Sequence, residues 1–175
     1  QADVGIAHLA FELGAGGQRG DGVEHEDIER VGADELIGND QGFLAGIRLG
    51  NKEIVDIHAE ATSEKQSMGV FCDGRASLVV GTHQHVPMAD TRILVDGTAF
   101  QTDAVMCGDY NSSLGMDKEE PINRFISKVP KGRFEPATGE ATICGVGFEI
   151  DDKTGLTTRV APMRIGPRLE PVLPW

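Results

Sequence analysis

Two short apolar runs set a helix's length apart constrain this chain more than any other feature. Glu53–His58 (EIVDIH) and Ala76–Val80 (ASLVV) each read as a buried strand. Between them Thr62–Phe71 predicts a helix, with Thr62 at the N-cap and Glu64 and Lys65 in the first turns. Asp73-Gly74 predicts its end. A strand, a helix and a second strand in that order commit the chain to an α/β sheet.

Further elements follow from local chemistry. Arg92–Val95 and Thr98–Thr102 flank Asp96-Gly97, a signal for a hairpin with a two-residue turn. Asp117 predicts the cap of a helix over Lys118–Ser127, with Phe125 and Ile126 in its core face. Thr142, Cys144, Val146, Phe148 and Ile150 alternate as along one face of a strand. Asp151–Gly155 then turns the chain into Leu156–Ile165, which makes a C-terminal antiparallel hairpin. Cys72 and Cys144 read as small core residues.

Composition divides the chain near residue 52. Residues 1–52 hold 11 of the 23 glycines and none of the 8 prolines. Such glycine density disfavours regular elements, so poor order is expected there, or short helices at Asp27–Ile37 and Gln41–Leu49. Residues 53–175 form the better-patterned domain. The chain opens on Gln1 rather than Met, which reads as a fragment or a trimmed product.

The formal charge is −12, which disfavours non-specific binding to phosphate backbones. An anionic substrate then needs a local positive charge, and a bound metal ion is one source. No apolar run reaches the length of a membrane span. Three cysteines without a CxxC pair fit a reducing compartment, hence a cytoplasmic protein.

Ligands in α/β folds gather at the carboxyl ends of strands. His58 falls at one such end, and Gly81-Thr82-His83-Gln84-His85 follows the other. Imidazole is a common neutral ligand for divalent metals, and the pattern permits a metal cluster. It equally permits two solvated loop histidines and a satisfied histidine at a strand end. Glu60 reads either as an acceptor that orients a ring N–H or as a first-turn carboxylate. Arg75 reads as a structural ion pair or as a phosphate partner. Asp103 and Cys107–Tyr110 read as a cleft-lining loop or as an ordinary connection.

The longer motifs carry a family resemblance. His58-Ala59-Glu60-Ala61-Thr62-Ser63-Glu64-Lys65, Asp73-Gly74-Arg75 and Val79-Val80-Gly81-Thr82-His83-Gln84-His85-Val86 resemble the YmdB-type branch of the calcineurin-like metallophosphoesterases. The likeness continues through Ala89-Asp90, Gly97-Thr98-Ala99, Thr102-Asp103 and Leu114-Gly115-Met116-Asp117, covering about residues 53–170. It implies part of a four-layer α/β sandwich around two mixed sheets. It also implies two divalent metal ions, Fe, Mn or similar, with His58 and His83 as ligands of one and His85 of the other. The implied activity is hydrolysis of phosphodiesters such as 2′,3′-cyclic nucleotides, two ions clamping the phosphate for in-line attack.

The family's other ligands lie in an N-terminal half: an Asp in a Gly-Asp turn, a Glu-Asn pair and a Gly-Asn-His segment. Residues 1–52 do not supply them. Gly32-Ala33-Asp34 and Gly38-Asn39-Asp40 are a coincidental echo, and the run Asp21, Glu24, His25, Glu26, Asp27 reads as a solvated face. No catalytic acid is assigned. The competing expectation is therefore an inactive fragment or a non-catalytic binding module. A one-metal zinc hydrolase built on the three histidines is a third. The edges of a partial sheet also predict self-association.

Overall fold

The computed structural model describes Phe43–Leu49 and residues 52–175. In chain order the elements are β1 (Phe43–Leu49), β2 (Lys52–His58), α1 (Thr62–Cys72), β3 (Leu78–Thr82), β4 (Arg92–Ile93), β5 (Ala99–Gln101), α2 (Glu119–Ser127), β6 (Ile143–Ile150) and β7 (Thr157–Ile165). The first five strands form one sheet in the order β1-β2-β3-β5-β4, and β6 and β7 form a separate two-stranded sheet. Strands β2, β3 and β5 run parallel, while β1 and β4 close the edges antiparallel.

Pleat alternation makes three layers. Val55 and Ile57 of β2, Val79 of β3 and Phe100 of β5 point to one face and pack with Met68 of α1. Leu78, Val80 and Ala99 point to the other face and meet Val146 and Phe148 of the β6–β7 hairpin. The parallel strands are therefore covered on both sides, which is why their sequences are continuously apolar. Full burial of Phe100, Ile57 and Val79 contributes about 1.5–3 kcal/mol for each side chain. Gly69 lets α1 approach: a Cβ there would stand 2.5 Å from the Phe100 ring.

Several expectations are corrected. Gln41–Leu49 is not a helix, because Phe43–Leu49 pairs antiparallel with all of β2, from Phe43 opposite His58 to Leu49 opposite Lys52. A long-range ladder overrides the weak local preference, and the sheet thus begins ahead of the compositional break. The Asp27–Ile37 segment lies outside the described residues. Thr62 is not the N-cap of α1; Ala61 occupies that position with no side-chain cap. The second strand is shifted two residues, to Leu78–Thr82, which carries the ladder up to His83. The β4–β5 turn has three loop residues rather than two. Gly97 N–H donates to Leu94 O at 3.1 Å, Leu94 N–H donates to Thr98 O at 2.8 Å, and Gly97 sits at φ 103°. Leu94–Gly97 is thus a hydrogen-bonded β-turn closed by a glycine at positive φ.

Helix α2 forms over Glu119–Ser127, but Asp117 is not its N-cap: Lys118 occupies that position with no side-chain cap, and Asp117, one residue earlier, accepts from Glu119 N–H through Oδ1 at 3.0 Å. Its apolar residues are not core. Phe125 is 78% and Ile126 74% exposed, since no described element packs on that face. Among the described residues no carboxylate forms an ion pair with Arg75. Its guanidinium lies 4.1 Å from the centroid of the Phe71 ring and donates to Phe71 O.

Candidate functional site

The three parallel strands end at one rim. His58 is the last residue of β2, Thr82 the last of β3, and Thr102-Asp103 follows β5. The register sets His58 beside Thr82 and Asp56 beside Val80. Alternation then puts Asp56, His58 and Thr82 on the hairpin-facing side of the sheet.

A chain of polar contacts runs along that side. Thr82 Oγ1 lies 3.5 Å from Asp56 Oδ1 and 3.0 Å from His58 Nδ1. With its hydroxyl donating to the carboxyl, its oxygen accepts the Nδ1 proton. His58 Nε2 is then unprotonated and is the acceptor or ligand nitrogen at the rim. That nitrogen lies 3.0 Å from His83 Nδ1, the two rings meeting edge to face. Burial, then the charges of His83 and Lys65, hold His58 below the ordinary histidine range, which favours the neutral, ligating form. Burial pushes the Asp56 carboxyl up to about 6, against the hydrogen bond from Thr82.

The residues expected to hold metal are only partly brought together. Two nitrogens each about 2.1 Å from one ion, at a right angle, stand about 3.0 Å apart. The His58–His83 separation therefore suits one edge of a coordination shell. The His85 ring is turned aside, with Nδ1 3.4 Å from Leu114 O. Among the described residues no three His, Cys, Asp or Glu side chains close on a common point that an ion could fill. Among the described residues the donor set fits part of a metal centre and supplies no bridging carboxylate. Asp21–Asp27 and Gly32–Asp40 lie outside the described residues.

The loop that carries the histidines is conformationally costly. His83 has φ 121° and His85 φ 60°, values that residues with a Cβ seldom adopt. Such backbone persists where surrounding contacts over-determine it. Here the contacts come from side chains that sequence reasoning missed. Lys65 is fully buried, with Nζ 3.0 Å from Asp103 Oδ2 and bonded to Gln84 Oε1. Glu60 takes part through its carbonyl, which accepts from Gln84 Nε2 at 2.5 Å, and not through its carboxylate. The missed signals were the charge inside the apolar run, Asp56, and the amide between two histidines, Gln84. Asp103 proves to be buried in this contact rather than lining a cleft.

A parallel-centred sheet with a helix on one face and an antiparallel hairpin on the other, with imidazoles at its carboxyl rim, defines the class as an α/β protein. A model of the YmdB-like protein family matches residues 41–163, and the chain belongs to that family. It is 52% identical over 106 residues to the 2′,3′-cyclic-nucleotide 2′-phosphodiesterase of Bacillus subtilis strain 168. That match covers 61% of this chain and 40% of the relative, so the chain spans well under half of the length of the curated relative it matches. A crystal structure of a novel phosphatase from Mycoplasma pneumoniae superposes with TM-score 0.61 at 26% identity, covering 71% of this chain and 57% of that one. A hypothetical protein from Thermus thermophilus superposes with TM-score 0.60 at 27% identity, covering 70% of this chain and 61% of that one. Among the described residues no helix is long and apolar enough to cross a membrane.

Proposed function

We propose that this chain is part of a metal-dependent phosphodiesterase acting on 2′,3′-cyclic nucleotides or similar phosphodiesters, within a four-layer α/β sandwich. The observation that carries the reading is the 3.0 Å approach of His58 Nε2 to His83 Nδ1 at the carboxyl rim of the parallel strands. Likeness to a relative named as a cyclic-nucleotide phosphodiesterase supports it. His58 and His83 would hold one divalent ion, Fe or Mn, and His85 would contribute to a second after its ring leaves Leu114 O. When bound, such ions supply the positive charge that an acidic chain otherwise lacks for a phosphate, and they acidify water for attack on phosphorus. The chain's own part is orientation: Thr82 fixes the His58 tautomer and Asp56 accepts from Thr82. Three free cysteines accord with work in the reducing cytoplasm.

A second reading is a non-catalytic module, favoured by the absence of a three-donor cluster among the described residues. One experiment separates the two. The full chain is loaded with Mn²⁺, its metal content measured, and its hydrolysis of 2′,3′-cyclic AMP followed, with His83→Ala as control. Metal uptake and turnover that both vanish in H83A support the enzyme. Turnover equal in wild type and H83A refutes the ligand assignment, and metal uptake without turnover supports the module.

A further inference from the structure

We propose that the buried Lys65–Asp103 ion pair, acting through Gln84, is a positioning device that holds the His83-Gln84-His85 loop in its left-handed backbone and so presents the imidazoles. The inference rests on the reading above that these histidines hold divalent ions.

Lysine is almost never fully buried unless it is paired. Lys65 and Asp103 are each 0% exposed. A buried ion pair is a poor route to stability, since an apolar pair of similar volume does as well or better. Directional contacts are what it adds. Asp103 Oδ2 takes Lys65 Nζ at 3.0 Å and Gln84 N–H at 2.8 Å, and Oδ1 takes Val105 N–H at 3.2 Å. Gln84 is therefore gripped three times: its amide by Asp103, its side-chain oxygen by Lys65, and its side-chain nitrogen by Glu60 O.

With Gln84 pulled inward, its two neighbours take positive φ and their rings go elsewhere. His83 turns to His58, and His85 turns to Leu114 O. Gly81 leaves room for the device. A Cβ there would stand 2.7 Å from Lys65 Cδ and 1.9 Å from Thr102 O. Helix α1, the β3 end and the segment after β5 thus meet at one lysine, and that meeting point fixes the loop.

The test uses the full chain with two readouts. One is the histidine ring nitrogen shifts by long-range ¹H–¹⁵N correlation, which report the His58–His83 contact. The other is Mn²⁺ affinity by electron paramagnetic resonance titration. Gln84→Leu preserves much of the volume and removes both side-chain bonds. It is expected to abolish the wild-type ring pattern and to weaken Mn²⁺ binding about tenfold, the lower end for loss of a residue that orients ligands. Gln84→Glu keeps an acceptor for Lys65 Nζ but gives up the donor to Glu60 O, and is expected to restore the ring pattern in part. Wild-type ring shifts in Q84L, or identical shifts in Q84L and Q84E, overturn the proposal. Should Q84L not fold, Asp103→Asn serves: it removes the charge facing Lys65, and unchanged ring shifts there are equally fatal. A wild-type chain that takes up no Mn²⁺, yet whose rings respond to Q84L, sinks the metal reading and keeps the device. Mn²⁺ uptake indifferent to Q84L sinks the device and keeps the metal reading.

Discussion

Replacing Lys65 by Met removes a charge from a place where water cannot compensate. The methionine thioether follows the path of the lysine stem, so the volume lost is small. What remains is the Asp103 carboxylate, 0% exposed and facing no cation. Removal of one partner of a buried pair costs about 3–5 kcal/mol. Asp103 keeps two backbone donors, Gln84 N–H at 2.8 Å and Val105 N–H at 3.2 Å. These hold the expected loss at the lower end, about 3 kcal/mol. For a domain of this size that is a fall in Tm of roughly 10 °C. The assay is urea unfolding followed by circular dichroism, run as a double-mutant cycle with Asp103→Asn. The asparagine keeps an acceptor for one of the two amides and discards the negative charge. The double variant is expected to recover most of the loss, a coupling of about 2 kcal/mol. A Lys65→Met chain within about 1 kcal/mol of wild type, or strictly additive effects, would refute the reasoning.

Three further outcomes are expected. Gly81→Ala drives a methyl to 1.9 Å from Thr102 O, so the β3 end must part from the chain after β5. A loss of at least about 2–3 kcal/mol in urea unfolding follows, and wild-type stability would show that the approach is looser than described. Asp73 accepts from Asp96 N–H at 3.0 Å and Thr98 N–H at 3.2 Å, so Asp73→Ala is expected to cost about 1–2 kcal/mol and to raise amide exchange in the β4–β5 turn before any other. Burial pushes the Asp90 carboxyl up, but hydrogen bonds from the Thr102 hydroxyl and amide and the Arg92 guanidinium outweigh it and bring it below the ordinary value of 3.8. The folded state therefore favours the ionised form. Its contribution is present above that ordinary value and is lost as pH falls through the lowered folded value. Asp90→Asn should flatten the acid limb of a Tm-against-pH curve in that window, and an unchanged limb would count against the contact.

Much of the strand pattern was legible because burial on both faces leaves a dense apolar signature. Glu53–His58 and the alternation of Cys144, Val146 and Phe148 were read where β2 and β6 lie. The shift of β3 to Leu78–Thr82 was not legible. Ala76 and Ser77 adjoin the apolar run Leu78–Val80, yet the Ala76 carbonyl is taken by the Thr98 hydroxyl and the ladder begins at Leu78. β1 was missed for a related reason: Phe43–Leu49 carries glycine and a weak period, and its strand state comes from pairing with β2. Phe125 and Ile126 failed in the opposite direction. Their helical spacing was right, but spacing alone does not say whether anything packs on that face.

The candidate site divides along the same line. The residue types at the rim were readable from their order alone, since a histidine that ends an apolar run and an H-x-H after the next run fall at strand ends in any α/β sheet. Which rings meet was decided by register and backbone: His58 beside Thr82, His83 at φ 121°, His85 turned to Leu114 O. The fate of Lys65 was decided there too. In one dimension it is a helix-surface cation; in the fold it is a buried charge between Asp103 and Gln84. Local chemistry determines which side chains a strand or helix can offer. Only the packing of α1, β3 and the segment after β5 against one another decides which lose their water, because that loss depends on residues distant in the chain.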